Sequence, residues 1–295
     1  MRSSIKYFIL LYYFFVTTST LPVKEKVKIK YPSAKYGSLK EKNLKDKKLI
    51  AAAIDRWKPE YGNVWELSGL HEGDIMLSEN SLRNIMTNES KKWSDGIVPY
   101  LIEEDAFEED EVKKIKSALD DFHRKTCIRF RPYKEGDAHF ITVKSDDPGC
   151  WSYVGKHDEG QVVNLQPPNC LKHGTIIHEL MHALGFYHQQ SAADRDDWID
   201  VVWKNIRADR QHNFNKYDKA SVTDYGVAYD YESVMHYSAT AFSKNGKKTI
   251  IPKVGNVTLG QREGFSAKDV KKINLMYKAQ CENREKKRYR DVAVE

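Results

Sequence analysis

Residues 178–188 read HELMHALGFYH, a stretch that combines histidines at helical spacing with a glutamate and a glycine. His178 and His182 are four residues apart, so a helix places both imidazoles on one face, about 6 Å apart along its axis. Gly185 follows where a helix would stop in a left-handed turn, and such a turn can bring His188 round as a third ligand. Three protein ligands leave one position of a tetrahedral zinc open, which is typical of a catalytic site.

Glu179 lies beside the first histidine, where it can accept a proton from water at the metal. A downstream segment, SVMHY at residues 233–237, matches the Met-turn that accompanies the longer HExxHxxGxxH pattern in metzincin peptidases. The alternative is a buried helix whose histidines are satisfied by hydrogen bonds. The glycine and the third histidine at their fixed offsets make a chance match rarer, so the pattern predicts a zinc peptidase.

The chain resembles the astacin family of zinc metalloendopeptidases over nearly all of residues 84–281. The resemblance implies an astacin-like catalytic domain with one Zn²⁺ per chain, held by His178, His182 and His188, and with Glu179 as the catalytic base. The segments that match beyond the zinc helix are Ser191 with residues 194–196, residues 233–237, Trp93 with residues 96–100, residues 149–155 with Gln161, and residues 241–245 with Pro252.

The resemblance also assigns roles that spacing alone does not. It implies that Tyr237 approaches the zinc and helps to bind the transition state, and that Met235 forms an apolar floor beneath the metal. Two positions depart from the family pattern, because Gln189 replaces the usual glutamate and Ala192 the usual arginine. That glutamate is linked to the new N-terminus after activation in the family, so maturation is expected to differ here. Neither change touches the expected ligands or the base.

If the chain is secreted, its four cysteines favour two disulfides, and the sequence alone leaves all three pairings open. The resemblance implies the pairs Cys127–Cys281 and Cys150–Cys170. Sequons at Asn88 and Asn256 are candidate sites of N-glycosylation if the chain is secreted.

Residues 1–20 have the features of a secretory signal peptide: basic residues, an apolar run over residues 7–16, and then small residues. An apolar run of about ten residues is too short to span a bilayer. A secreted, extracellular product without a membrane anchor is therefore expected. Residues 23–48 are lysine-rich with few apolar side chains, which predicts little order. We expect residues 21–83 to form a removable propeptide, whose boundary could lie as late as residue 92.

The net charge of +6 is unevenly distributed along the chain. Residues 1–83 hold 15 of the 48 Lys and Arg and 9 of the 42 Asp and Glu, so residues 84–295 carry 33 charges of each sign. The excess positive charge therefore belongs to the part that is expected to be removed. A nucleic-acid-binding role, which a basic protein would otherwise suggest, loses its support.

Residues 70–75, LHEGDI, are similar to the astacin propeptide motif Phe-x-Gly-Asp, with His71 in place of the phenylalanine. In that family the aspartate occupies the water position on zinc and keeps the precursor inactive, so the resemblance implies this role for Asp74. A carboxylate is a good zinc ligand, and Gly73 lets the backbone approach closely. The alternative is a surface turn, for which Glu-Gly-Asp is a common composition.

Residues 84–281 are long enough for one domain with its own core. Residues 108–124 carry apolar side chains on one stripe and acids in the first turn, which predicts a helix. Ser266 can cap a last helix, because Asp269 follows three residues later. Strands and a helix before the zinc helix, with mostly irregular chain after it, predict an α+β fold of two lobes with the zinc helix at the cleft floor. The predicted strands are 97–102, 127–133, 139–144 and 161–165, and residues 282–295 are predicted to form a charged, solvated tail.

These features predict a secreted zinc metalloendopeptidase that is made as a zymogen and hydrolyses protein or peptide substrates as a monomer. A trypsin-like protease would activate it by cleaving after Arg83, with Lys91 and Lys92 as competing points. Two alternatives stay open: a decayed scaffold that only binds other molecules, and a zinc hydrolase of non-peptide bonds. The intact Glu179 argues against the first, and the Met-turn and the propeptide motif argue against the second.

Overall fold

A computed structural model describes residues 44–58, 62–77, 89–219 and 222–292. The expected signal peptide, the expected cleavage residue Arg83 and the Asn88 sequon lie outside the described residues. Over the described ranges, no helix combines the length and apolar character needed to cross a membrane.

A five-stranded sheet precedes the zinc-motif helix in the chain. Its strands are β1 (Ile97–Ile102), β2 (Arg129–Pro132), β3 (Ile141–Lys144), β4 (Cys150–Ser152) and β5 (Gln161–Leu165). They lie in the order β2-β1-β3-β5-β4, in which the first four are parallel and β4 runs antiparallel to β5. The predicted strands 97–102 and 161–165 agree with the structure, whereas the other two are shorter than predicted. β4 is an edge strand, and its open side faces residues 74–76.

Two helices pack against the sheet and against each other. Helix α2 (Glu109–Lys125) buries Ile115 and Phe122, and it starts after Glu108, whose backbone N–H donates to the Glu111 carboxylate. This reciprocal cap explains why the helix begins there. Helix α3 (His173–Leu184) carries the zinc motif and is buried along almost its whole length. Because α3 is apolar around most of its circumference, it forms the centre of the core rather than part of the surface.

The chain after α3 is largely irregular, as predicted. It contains several short 3-10 turns, the antiparallel strands β6 (Ile199–Val201) and β7 (Ile250–Pro252), and the helices α4 (Ala267–Met276) and α5 (Lys278–Val292). Ser266 caps α4, because its hydroxyl accepts the backbone N–H of Asp269 at 2.9 Å and its own N–H donates to the Asp269 carboxylate at 3.0 Å. The predicted α+β class is confirmed.

Disulfides join Cys127 to Cys281 and Cys150 to Cys170. The first joins the beginning of α5 to the chain just before β2, and the second joins β4 to the chain just before α3. Asn256 is exposed, so the sequon there is accessible.

The prediction of little order through residue 48 is wrong for residues 44–48. They form the start of helix α1 (Leu44–Asp55), which docks on the main domain. Ile54 is fully buried, and the Lys47 ammonium lies 2.7 Å from an Asp147 carboxylate oxygen. Docking contacts of this kind stabilise a helix whose lysine-rich composition alone would not.

Residues 282–292 were predicted to form a charged, solvated tail; most of residues 282–290 are indeed exposed, but the segment continues helix α5, which was not predicted. Lys287 Nζ donates to the Asp95 carboxylate at 2.6 Å, and Arg284 donates to the Asp95 main-chain oxygen at 3.0 Å. These bonds and the disulfide at Cys281 hold the basic helix against the chain that leads into β1. A charged composition therefore does not prevent a segment from docking when its partners are distant in sequence.

Candidate metal centre

The zinc motif places three imidazoles around one point. The Nε2 atoms of His178 and His182 are 3.2 Å apart on the buried face of α3. The helix ends before Gly185, whose φ of 112° lies in the left-handed region that strains any side chain, and where a Cβ would come within 2.7 Å of Met276. The turn that follows brings Nε2 of His188 within 3.3 Å of that of His178. The predicted reversal of the chain at Gly185 therefore does bring the third histidine to the other two.

Each of these imidazoles is hydrogen-bonded on its outer nitrogen. His178 Nδ1 donates to the carbonyl of Val234 at 2.8 Å, and His182 Nδ1 donates to the carbonyl of Phe186 at 2.7 Å. Donation from Nδ1 leaves Nε2 as a bare lone pair in the neutral ring. The bonds therefore set both the tautomer and the orientation that a metal ligand needs.

Asp74 completes the cluster from a distant part of the chain. Its Oδ2 atom lies 2.9 Å from Nε2 of His178, and its Oδ1 atom lies 3.5 and 3.4 Å from Nε2 of His182 and His188. The four donor atoms all lie within 4.8 Å of one another, and all four side chains are buried. Burial alone would raise the pKa of Asp74, but the neighbouring histidines lower it well below its usual value. A carboxylate is thus held among three imidazole nitrogens.

This donor set fits a zinc ion. Zinc takes imidazole nitrogen and carboxylate oxygen ligands in tetrahedral sites, and three neutral imidazoles with one carboxylate supply four such atoms. The Oδ1 atom of Asp74 is buried and has no hydrogen-bond partner among the described residues. A buried oxygen of this kind is unusual unless an ion satisfies it. The side chains are therefore arranged to hold a metal rather than to satisfy one another.

Glu179 follows the first histidine on α3 and is fully buried. Neither of its carboxyl oxygens has a hydrogen-bond partner in the part of the chain that the structure describes, and such isolation is unfavourable for a carboxyl group. Burial and the nearby charge of Asp74 raise the pKa of Glu179 well above its usual value, against the opposing charge of Arg262. An unpartnered carboxyl beside a group of side chains that can hold a metal ion is available for proton exchange with water.

Helix α4 holds the Met-turn in place. Asp269 accepts a hydrogen bond from the Ser233 hydroxyl at 2.6 Å and another from the backbone N–H of Val234 at 2.9 Å. The aromatic ring of Tyr237 lies 4.8 Å from the imidazole of His188, measured between ring centroids. Asp269, the partner of Ser266 in the cap of α4, thus also fixes the segment that brings Tyr237 to the cluster.

Residues 62–77, here called the covering segment, lie over the histidines. The Trp65 indole is fully buried. It stacks on the imidazoles of His178 and His188, with centroid distances of 4.6 and 4.9 Å. It also contacts the ring of Tyr237 at 5.3 Å. The indole therefore forms a lid of apolar surface over two of the three expected metal ligands.

The covering segment also pairs with the edge strand β4. Ser152 N–H donates to the main-chain oxygen of Asp74 at 3.0 Å, and Met76 N–H donates to the oxygen of Ser152 at 2.8 Å. Ile75 is the partner of Ser152 in a parallel bridge. The pairing fixes the backbone from the carbonyl of Asp74 to Met76, which helps to direct the Asp74 carboxylate into the cluster.

Every polar group of Glu72 is bonded. Its N–H donates to the Asn213 side-chain oxygen at 3.0 Å, and its main-chain oxygen accepts from the Tyr237 hydroxyl at 2.6 Å. Its carboxylate accepts from His188 Nδ1 at 2.7 Å and from the Ser191 hydroxyl at 3.1 Å. Glu72 has a φ of 50°, a conformation uncommon for a residue with a side chain. These four contacts hold it in that conformation.

A third buried carboxyl of the covering segment, that of Glu66, lies near Arg262. Glu66 accepts hydrogen bonds from Ser238 at 3.0 Å and from Asn63 at 3.2 Å. Burial raises the pKa of Glu66 to about 7, although these bonds and the charge of Arg262 act to lower it. Arg262 lies 4.9 Å from the Trp65 ring, and burial lowers its pKa to about 10. Arg262 therefore keeps its charge at neutral pH, and part of the wall of the site is cationic.

The two departures from the family pattern, Gln189 and Ala192, lie together just after His188 in the chain. The Gln189 side-chain oxygen accepts from Lys272 Nζ at 2.6 Å, and the Gln189 N–H donates to the Met235 oxygen at 3.0 Å. Gln189 and Ala192 both line a cavity of about 480 Å³. The neutral Gln189 is thus paired with a cation supplied by α4.

Several residues of the site were not predicted from the sequence. Each is brought in by contacts between positions far apart in the chain, which no local spacing reveals. Glu72 had the nearest available signal, because it lies inside the Gly-Asp motif. They are Trp65, Glu72, Asn213, Arg262 and Lys272.

The chain matches the sequence profile of the peptidase family described as Astacin over residues 85–278. It is 45% identical to zinc metalloproteinase nas-14 of Caenorhabditis elegans over 203 residues, which cover 68% of this chain and 40% of that protein. It is 38% identical to Seminal metalloprotease 1 of Drosophila melanogaster over 220 residues, which cover 72% of this chain and 88% of that protein. The chain spans less than half of the nas-14 protein.

The chain is also similar to a protein of known structure. High choriolytic enzyme 1, a hatching-enzyme zinc protease from the medaka Oryzias latipes, is 35% identical with a TM-score of 0.58. The match covers 70% of this chain and 99% of the fish chain. The family and the fold class that the sequence predicts are both confirmed.

Proposed function

Because the chain belongs to the astacin family of peptidases, we propose that it is a secreted zinc-dependent endopeptidase made as an inactive precursor. One observation carries the proposal. Three buried imidazoles direct their Nε2 atoms to one point, beside a buried carboxyl group, Glu179, that has no partner among the described residues. This is the arrangement that a hydrolase with a metal and a general base requires.

His178, His182 and His188 would hold the zinc through Nε2. When bound, the ion supplies Lewis acidity, which polarises a carbonyl group and makes nearby water more acidic. The chain contributes the orientation of the ligands, through the main-chain carbonyls that fix the rings of His178 and His182.

Glu179 is the proposed general base. Its carboxylate accepts a proton from the water that attacks the scissile carbonyl carbon, and it then delivers that proton to the leaving amine nitrogen as the C–N bond breaks.

Tyr237 is the proposed stabiliser of the negative charge that develops on the carbonyl oxygen. Its hydroxyl already donates to a carbonyl oxygen, that of Glu72, at 2.6 Å. A substrate carbonyl in the same place would receive the same hydrogen bond, which strengthens as charge accumulates on the oxygen.

The covering segment accounts for the proposed latency. Asp74 fills one position of the metal cluster, Trp65 lies over the histidines, and the backbone occupies the open edge of β4. A substrate cannot reach the site while these contacts last. Removal of residues 21–83 by a trypsin-like protease would release all three, and residues 84–281 would form the active domain.

Two lysines compete with Arg83 as cleavage points. Lys91 lies in a short 3-10 helix, and its main-chain oxygen accepts from Lys156 N–H at 2.7 Å. Lys92 is paired with Glu89 at 2.6 Å. These bonds disfavour cleavage at either lysine, because a protease needs an extended and accessible backbone.

Secretion is supported by the signal-like sequence of residues 1–20 and by two disulfides, which persist in oxidising compartments. Glycans at Asn88 and Asn256, protein or peptide substrates, and a monomeric state complete the proposal. A decayed scaffold that only binds is the alternative. Casein hydrolysis by the purified protein, with and without trypsin treatment, separates the two. A protein that holds zinc but cleaves nothing after treatment would favour the alternative.

A further inference from the structure

The three imidazoles of the metal cluster are oriented by partners of two kinds. His178 and His182 donate from Nδ1 to main-chain carbonyls of the main domain, at 2.8 and 2.7 Å. His188 donates from Nδ1 to the carboxylate of Glu72, at 2.7 Å. Glu72 belongs to the covering segment. One ligand of the three therefore takes its orientation from a part of the chain that the proposed activation removes.

Glu72 is well suited to orient another side chain. Its carboxylate is only 3% exposed, and its second oxygen accepts from the Ser191 hydroxyl at 3.1 Å. Its main chain is bonded on both sides, to Asn213 and to Tyr237, at a φ of 50°. An uncommon backbone conformation persists only where the surroundings determine it. The carboxylate thus has little freedom to leave His188.

We propose that Glu72 is a positioning residue for the metal, and that the precursor holds zinc more tightly than the cleaved protein for this reason as well as through Asp74. A carboxylate that accepts from the outer nitrogen of a ligating histidine fixes its tautomer and raises the basicity of the other nitrogen. Removal of such a partner typically lowers metal affinity by about 10- to 100-fold. The covering segment would then bind zinc directly through Asp74 and strengthen zinc binding indirectly, through the contact of Glu72 with His188.

The competing explanation is local. Glu72 is two residues before Asp74, so its contacts could serve only to place the Asp74 carboxylate. A variant without Asp74 separates these two explanations. If Glu72 still affects zinc affinity when Asp74 is absent, its effect must pass through His188.

The first experiment uses the intact, zinc-loaded precursor and competition with a chromogenic chelator. Glu72→Met keeps the bulk of the side chain but cannot accept a hydrogen bond, and we expect its zinc dissociation constant to rise about 10- to 100-fold. Glu72→Gln keeps an accepting oxygen and should recover most of the affinity. Glu66→Gln is the matched control, because Glu66 is a buried carboxyl of the same segment that bonds to Ser238 and Asn63 instead of a cluster histidine. It should leave the affinity unchanged, and equal weakening by Glu66→Gln and Glu72→Met would overturn the proposal.

The second experiment repeats the Glu72→Met substitution in an Asp74→Ala precursor. We expect the same fold-loss of zinc affinity in this background. Loss of the effect would overturn the proposal in favour of the local explanation. The cobalt-loaded proteins give an independent signal, because a change in the orientation of His188 alters the visible spectrum of the metal, whereas a purely structural role leaves it unchanged.

A third measurement needs no substitution at Glu72, in case Glu72→Met does not fold. The intact Asp74→Ala precursor and the cleaved parent both lack the aspartate ligand, but only the precursor keeps Glu72 on His188. The precursor should bind zinc about 10-fold more tightly, and equal affinities would overturn the proposal. The inference rests on the proposed zinc site. The zinc affinities and cobalt spectra can be measured without peptidase activity. The inference can therefore fail while the proposed activity stands, and it can hold even if the protein cleaves no peptide.

Discussion

The hydroxyl of Tyr237 donates to the main-chain oxygen of Glu72 across 2.6 Å, so the phenol is already engaged with a carbonyl group at the metal cluster. The same phenol ring lies 4.8 Å from the imidazole of His188. This side chain therefore joins the covering segment to the site that lies beneath it.

Tyr237→Phe removes only the hydroxyl. In the cleaved protein we expect kcat to fall about 100-fold with little change in KM, because the hydrogen bond stabilises charge that develops only in the transition state. Steady-state kinetics on a fluorogenic peptide measures this. Tyr217→Phe is the matched control, since that phenol also faces the covering segment, 3.4 Å from His71, but does not reach the carbonyl of Glu72. Unchanged kcat in Tyr237→Phe would remove Tyr237 from the mechanism.

One zinc per chain is expected in the purified protein, and His182→Ala should lose most of it. The imidazole of His182 supplies one of the three bare Nε2 atoms, and its loss leaves too few ligands for tight binding. Elemental analysis gives the stoichiometry. His212→Ala removes an exposed histidine outside the cluster and should keep the metal. Stoichiometric zinc and peptide cleavage in His182→Ala would show the ligand assignment to be wrong.

Glu179→Gln keeps the size of the side chain but cannot accept a proton. Turnover in the cleaved variant should fall by several orders of magnitude while zinc is retained. Activity and metal content are measured on the same preparation. Turnover close to that of the parent would mean that another group acts as the base.

Asp74→Ala removes the carboxylate from the cluster without removing the covering segment. We expect the uncleaved variant, expressed without trypsin-like proteases, to show more peptidase activity than the parent precursor. Activity should stay below that of the cleaved protein, because Trp65 still covers the histidines. If the intact variant is as silent as the parent, Asp74 alone does not maintain latency.

Glu66 predicts a pH dependence of precursor stability. Its pKa is raised from 4.5 to about 7 by burial, so the folded state favours the protonated form. The resulting stabilisation is complete below about pH 4.5 and is lost as the pH rises through about 7, an effect of about 3 kcal/mol. Glu66→Gln cannot ionise, so its melting temperature should exceed that of the parent by roughly 5–10 °C at pH 8.5 and by little at pH 5. A constant difference across this range would contradict the raised pKa.

The sequence predicted those features whose causes are local. The zinc helix, the turn at Gly185 and the capping of α4 by Ser266 all depend on residues within about ten positions of one another, and all are present. The predicted ends of the strands near residues 127 and 139 were less accurate, since the length of a strand depends on the strand that pairs with it. Helices α1 and α5 were missed, because their stability comes from docking on the main domain.

The same distinction holds within the site. His178, His182 and His188 could be predicted because one helical turn and one glycine relate them. Trp65, Asn213 and Lys272 could not, because each meets its partner only after the whole domain has folded. Asp74 was found only through the resemblance to a family motif.

The edge strand β4 has a consequence for the shape of what this protein can cleave. The covering segment meets β4 through two main-chain hydrogen bonds of Ser152, one to the oxygen of Asp74 and one from the N–H of Met76. Any peptide that takes its place must present main-chain groups to β4 that are free of internal hydrogen bonds. A helix or a strand already paired in its own sheet cannot do so. Cleavage is therefore expected in loops, termini and locally unfolded regions. Whether a segment of a target protein is folded would then govern its susceptibility to cleavage as much as its amino-acid sequence.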